Sequence, residues 1–207
     1  MAMFDRDGLE SALGELATLL LERGTTGTMQ IFGGAALTLG LFDRGTTADI
    51  DARVRFDADI TDLLQLVADR RGWEREWLND AGRGFLPLYG REVDWVTLFD
   101  RDGVTIQLAS AEALLAMKLN ANRPGRDDED IAQLMTICGV SSSGGAEEVF
   151  EAYYPGECLT ERAMRMVEGI LEGGLPERAA LPPAPRLERW AGDPSRSRPW
   201  RAAPAAP

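Results

Sequence analysis

Two aspartates separated by one residue, Asp49 and Asp51, and the glycine pair Gly33-Gly34 upstream of them are the residues whose type and spacing point to chemistry. The run Met29-Gln30-Ile31-Phe32 reads as a short buried strand, and the glycines then turn the chain into a helix over 35–41. A second strand carries the acids. Side chains alternate across a strand, so both carboxylates share one face while Ile50 points into the core. Adjacent carboxylates repel unless a cation or a proton relieves them. Hard divalent ions such as Mg2+ prefer such oxygens and keep positions open for phosphate. A diglycine turn entering a helix exposes backbone N–H groups, and the helix dipole favours an anion there. A phosphate cradle beside a metal-binding acid pair is what phosphoryl or nucleotidyl transfer needs. Alone, an Asp-x-Asp can be the solvated face of an edge strand and a Gly-Gly a plain turn. Their order is what gives them weight.

Further polar residues fall where such a site could use them. Arg44, Thr46 and Thr47 sit in the loop before the acidic strand, within reach of a phosphate or ribose, or else form a polar turn with a capping hydroxyl. A strand over 92–99 carries Asp94, a candidate third carboxylate or an edge charge. Lys118 is the only lysine among 22 basic residues. It is either a point charge for phosphate or a snorkelling surface side chain. Asp130 lies one helical turn into a later helix, where it can pair with Lys118 or reach the metal site.

Helices and strands of ordinary length must position these groups. Leu9, Leu13, Leu16, Leu19 and Leu20 mark a helix over 7–23 that ends at Gly24. An amphipathic helix covers 59–71, with Asp59 or Thr61 as its N-cap. Trp77-Leu78-Asn79-Asp80 reads as an ordered loop beside the site, while Trp73 and Trp77 fit the core. A strand over 104–108 pairs with the Asp94 strand across a tight turn. Ser110 caps a helix over 110–122; further helices follow over 128–138, 144–154 and 159–173. The chain thus reads as α+β, a small sheet flanked by helices. It divides into a core over 1–109, a helical region over 110–180, and a Pro-, Ala- and Arg-rich tail over 181–207 that cannot bury enough apolar surface to order itself.

Composition narrows the chemistry. The chain has 207 residues and a formal net charge of −12, so its surface as a whole repels nucleic acid and disfavours duplex DNA, though a local basic patch remains compatible with it. With no histidine, Ser-His-Asp catalysis and HExxH zinc sites are excluded. No GxxxxGK[ST] loop is present. No apolar run can span a bilayer, and the two cysteines, Cys138 and Cys158, read as free thiols on helical stretches in a cytoplasmic protein.

The segments Phe32-Gly33-Gly34-Ala35-Ala36-Leu37, Thr47-Ala48-Asp49-Ile50-Asp51, Trp77-Leu78-Asn79-Asp80, Leu114-Leu115-Ala116-Met117-Lys118-Leu119 and Arg126-Asp127-Asp128-Glu129-Asp130-Ile131 resemble small bacterial nucleotidyltransferases of the polymerase-beta-like superfamily. They are similar in particular to the AbiEii-type toxins of type IV toxin–antitoxin systems, and the resemblance runs over 27–154. It implies that Gly33 and Gly34 hold an NTP triphosphate, that Asp49 and Asp51 bind Mg2+ or Mn2+, and that Lys118 and Asp130 serve the nucleotide site. An arginine of the family pattern falls here on Gly45, with Arg44 beside it. The implied function is metal-dependent transfer of NMP to a hydroxyl on RNA, such as a tRNA 3′ end, or on protein, with a cognate antitoxin as a partner. The rival reading is an inactive nucleotidyltransferase-like binding protein.

Overall fold

The computed structural model describes residues 3–183 together with Pro185 and Leu187, so the expected disordered tail falls mostly outside the described residues. β1 (Gly27–Phe32) lies at the centre of a five-stranded mixed sheet. β2 (Ile50–Phe56) pairs antiparallel on one side, and β5 (Val104–Ala109) pairs parallel on the other. β3 (Leu78–Asn79) and β4 (Trp95–Arg101) form the two edges, giving the order β3-β2-β1-β5-β4. Among the described residues seven α-helices flank the sheet: α1 (Arg6–Arg23), α2 (Gly33–Gly40), α3 (Thr61–Arg71), α4 (Ala111–Ala121), α5 (Asp128–Cys138), α6 (Ser143–Tyr153) and α7 (Glu161–Gly173). The fold is α+β. Among the described residues no helix is long and apolar enough to cross a membrane.

Strand alternation gives the sheet two unlike faces. Met29, Ile31, Ala52, Ile106 and Leu108 are buried on the face that α1 and α2 cover. Gln30, Arg53 and Gln107 alternate with them and lie on the other face, partly exposed. In α1, Leu9, Leu13, Leu16 and Leu20 recur at helical spacing and are fully buried. Asp5 caps its first turn by accepting the Gly8 N–H at 2.8 Å. In α3 the capping differs from the expectation. Ile60 occupies the N-cap position, and Asp59 instead accepts from the Thr61 N–H at 2.9 Å. The β4–β5 hairpin turns at Asp102 and Gly103, both at positive φ, as a tight turn between right-twisted strands requires.

Trp77 ties the edge of the sheet to the helices. It is 2% exposed, donates from Nε1 to the Leu64 carbonyl at 3.1 Å, and packs beside Trp73, which in turn packs on Phe4. Anchored there, β3 pairs parallel with β2, so that Leu78 lies opposite Ile50 and Asn79 opposite Asp51. Cys138 ends α5 and is half-buried, whereas Cys158 lies exposed in the loop before α7 rather than on a helix, and neither forms a disulfide. Trp77→Ala should destabilise the protein by about 3–5 kcal/mol in urea unfolding, because the vacated volume adds to the lost transfer energy.

Candidate functional site

The two glycines are required by what surrounds them. Gly33 adopts φ 66°, a left-handed conformation that disfavours any side chain, and a Cβ there would come 2.8 Å from Asp51 Oδ2. A Cβ on Gly34 would come 2.7 Å from Thr47 Oγ1 and 2.8 Å from Arg44 Nη1. The first turn of α2 has no side-chain cap, since Phe32 holds the N-cap position. Its backbone donors therefore face a space bordered by Arg44 and Thr47.

Asp51 begins the exposed-face register of β2, opposite Phe32 of β1. Asp49 precedes the strand by one residue rather than lying within it, yet both acids border one cavity of about 240 Å³. Gly33, Gly34, Arg44, Thr47 and Lys118 border the same cavity. Asn79 donates from Nδ2 to Asp49 Oδ2 at 3.2 Å, and the Gly82 N–H donates to Asp51 Oδ1 at 2.8 Å. A Cβ on Gly82 would come 2.7 Å from that oxygen, so this glycine too is a matter of close approach. Burial, and next the charge of Asp49, push the Asp51 carboxyl above its ordinary value, while the Gly82 N–H and the more distant Arg123 and Arg126 partly offset them. The repulsion expected from the spacing is thus present in the fold.

Behind the cavity lies a buried ionic network. Lys118 is 5% exposed and donates from Nζ to Asp127 Oδ1 at 2.6 Å and to Asp130 Oδ2 at 2.7 Å. Asp130 also accepts from Arg44 Nε at 2.9 Å, and Asp127 accepts from Arg123 through its guanidinium and backbone N–H. Two of the three ammonium protons of Lys118 are therefore committed to carboxylates, and Asp130 acts on the cavity through Arg44. Burial alone would raise the Asp127 carboxyl, but the hydrogen bonds from Arg123 and Lys118 outweigh it and hold the group at about 2. Asp127, at the N-cap position of α5, is fully buried.

Asp94 is not brought to the pair. It precedes β4, which pairs only with β5 at the sheet edge, so β5 and β1 both intervene before β2. Its carbonyl accepts the Ser110 N–H, and Asp94 does not border the cavity. Among the described residues no group of three His, Cys, Asp or Glu side chains is placed to hold a metal ion. Sequence reasoning also missed Arg123 as a cavity residue and the Gly82 N–H as a donor to Asp51. Gly82 could have been suspected from the glycines flanking Arg83, but the role of Arg123 depends on the turn between α4 and α5.

Strand, diglycine turn and helix thus precede an Asp-x-Asp pair at the start of β2, and all of them border or open onto one cavity. The chain belongs to the family described as "Nucleotidyltransferase of unknown function (DUF6036)", whose model matches residues 9–142. No curated protein and no solved structure matches it.

Lys118→Met leaves Asp127 and Asp130 buried with one cationic partner each, and should lower stability by about 3–5 kcal/mol in urea unfolding. The acid limb has a definite sign. Because the folded-state carboxyl of Asp127 is depressed, its stabilisation is complete above the unfolded value near pH ~4 and is lost as the pH falls towards about 2. Asp51, with a raised carboxyl, contributes with the opposite sign: its stabilisation holds in acid and fades as pH rises through its folded value. Melting curves of Asp127→Asn should therefore show a weaker loss of stability below pH ~4 than those of the wild type.

Proposed function

We propose that this protein is a metal-dependent nucleotidyltransferase that moves NMP from an NTP to an acceptor hydroxyl on RNA or protein, as the toxin of a toxin–antitoxin pair. The observation that carries the reading is the juxtaposition, in one cavity, of the Asp49/Asp51 pair with the uncapped α2 N-terminus, Arg44 and Thr47. The acid pair fits a divalent cation. Each carboxylate keeps one oxygen free of hydrogen bonds among the described residues, and the mutual repulsion favours a cation between them. Bound there, Mg2+ or Mn2+ would supply charge neutralisation at the triphosphate and acidify the acceptor hydroxyl.

The chain's own groups have distinct tasks. The Gly33 and Gly34 backbone, with the α2 dipole, receives phosphate oxygens. Arg44, held by Asp130, and Thr47 border the same position, and Arg126 adds a guanidinium that forms no ion pair among the described residues. Lys118 and Asp130 are positioning residues that fix Arg44 and the cavity wall. The acceptor oxygen forms a bond to the α-phosphorus as the bond to the bridging oxygen of pyrophosphate breaks, pyrophosphate leaving with the electron pair. The acceptor proton leaves to solvent through the cavity mouth.

The lack of a three-acid cluster among the described residues favours a second reading, a nucleotide-binding relative without transfer activity. Two measurements separate them. With Mg2+ and an NTP, the melting temperature of the wild type should rise, and Asp49→Asn and Gly34→Ala should abolish the rise. In parallel, α-labelled NTP should transfer label to cellular RNA or protein, and Asp49→Asn should abolish transfer with its fold intact. Thermal stabilisation without transfer would support the second reading; neither effect would refute both.

A further inference from the structure

The sheet face opposite α1 and α2 is polar, and it runs directly out of the candidate site. Asp51, Arg53 and Arg55 are successive same-face residues of β2, so two guanidiniums follow the acid at a rise of about 6.6–6.8 Å per step. Arg53 donates from Nε to Gln30 Oε1 at 2.9 Å, Gln30 donates to Gln107 Oε1 at 3.0 Å, and Gln107 reaches Thr97 Oγ1 at 3.5 Å. These bonds tie an amide ladder across four strands. The Arg53 guanidinium also lies 5.7 Å from the centre of the Trp95 ring.

Apart from Asp51 at its start, this face gives its arginines no close acid partner among the described residues. Arg53 pairs with an amide rather than an acid, Arg55 is exposed and forms no ion pair among the described residues, and Arg83, in the turn Ala81–Phe85 that packs against β2, has only the exposed Asp80 at 3.9 Å. Burial, and then the charges of Arg55 and Arg83, lower the Arg53 pKa, in keeping with both guanidiniums lying on the side of the sheet that Arg53 occupies. Asp100, hydrogen-bonded to Thr105, is a carboxylate at the far end of the face. In a chain of net charge −12, three arginines gathered between Asp51 and Asp100 make this face locally richer in positive charge than the chain average.

We propose that this face binds a single-stranded RNA acceptor, with Arg53, Arg55 and Arg83 tracking its phosphates and Trp95 offering a stacking surface, so that its 3′ hydroxyl reaches Asp51. The proposal rests on the transferase reading above and adds to it the acceptor class and the path of its strand. Guanidiniums interleaved with an aromatic ring suit a sugar–phosphate strand carrying planar bases. The spacing along β2 suits an extended chain of charges, and every base offers a face to Trp95, so recognition here is tolerant of sequence.

The test uses the full chain and a fluorescein-labelled single-stranded RNA of about 12 nucleotides. Fluorescence anisotropy should show binding that weakens steeply with salt. The Arg53→Gln/Arg55→Glu double variant should bind at least about tenfold more weakly, with a salt slope shallower by about 2. Trp95→Ala should weaken binding by about tenfold and leave the slope unchanged. All variants should keep the wild-type rise in melting temperature with NTP and Mg2+, which shows both that they fold and that the nucleotide site is intact. Wild-type RNA affinity in the double variant, or no RNA binding by the wild type, overturns the proposal. Transfer of label to protein, undiminished in the double variant, overturns it in favour of a protein acceptor. Loss of the nucleotide effect in the wild type itself would instead count against the transferase reading.

Discussion

Two carboxylates held against each other over one cavity set the terms for the rest of this molecule. Asp51 is fixed by its place on β2, opposite the buried Phe32, and Asp49 by the loop that enters the strand and by the Asn79 amide. Asp51 cannot change face without breaking the register that buries Ile50 and Ala52. Burial, and next the charge of Asp49, raise the Asp51 carboxyl, so the proximity of the pair accounts for part of that rise.

The surrounding architecture supports the pair from two sides. Trp77 anchors β3, and through Asn79 and the following turn it brings the Gly82 N–H to Asp51. On the other side, Lys118, Asp127, Asp130, Arg44 and Arg123 form one ionic group in which three cations surround two buried carboxylates. This group holds Arg44 beside the N-terminus of α2, so the position of a cavity cation depends on a lysine two helices away in sequence. A network of this kind is costly to break and contributes more to placement than to net stability.

Much of this was legible in the sequence. The strand, diglycine, helix and Asp-x-Asp order survives intact, and the periodicities of α1, α4 and α5 fall within one or two residues of their expected ends. Local signals, namely turn glycines, caps and apolar stripes, carry that information. Asp94 marks where they stop. Alternation put it on a strand over 92–99 beside the acid pair, but it precedes β4, and strand order is a long-range property: β5 inserts between β4 and β1. Lys118 is a subtler case: its singularity in composition pointed to a special place, while its partners Asp127 and Asp130 became visible only when α4 and α5 packed together. The arginine-bearing sheet face was masked by the acidic average of the whole chain, which says nothing of how charge is distributed.

We propose that a divalent cation relieves the repulsion between Asp49 and Asp51. Calorimetric titration of Mg2+ into the wild type and into Asp51→Asn, each with a non-hydrolysable NTP, combined with the melting temperature of each protein without ligand, tests this most directly. Relief of repulsion by the neutral amide should make ligand-free Asp51→Asn at least as stable as the wild type, while its Mg2+ affinity falls by about tenfold or more. Equal Mg2+ affinity in the two proteins would contradict the account, because the pair would then be a structural feature of the strand and the cation site would lie elsewhere.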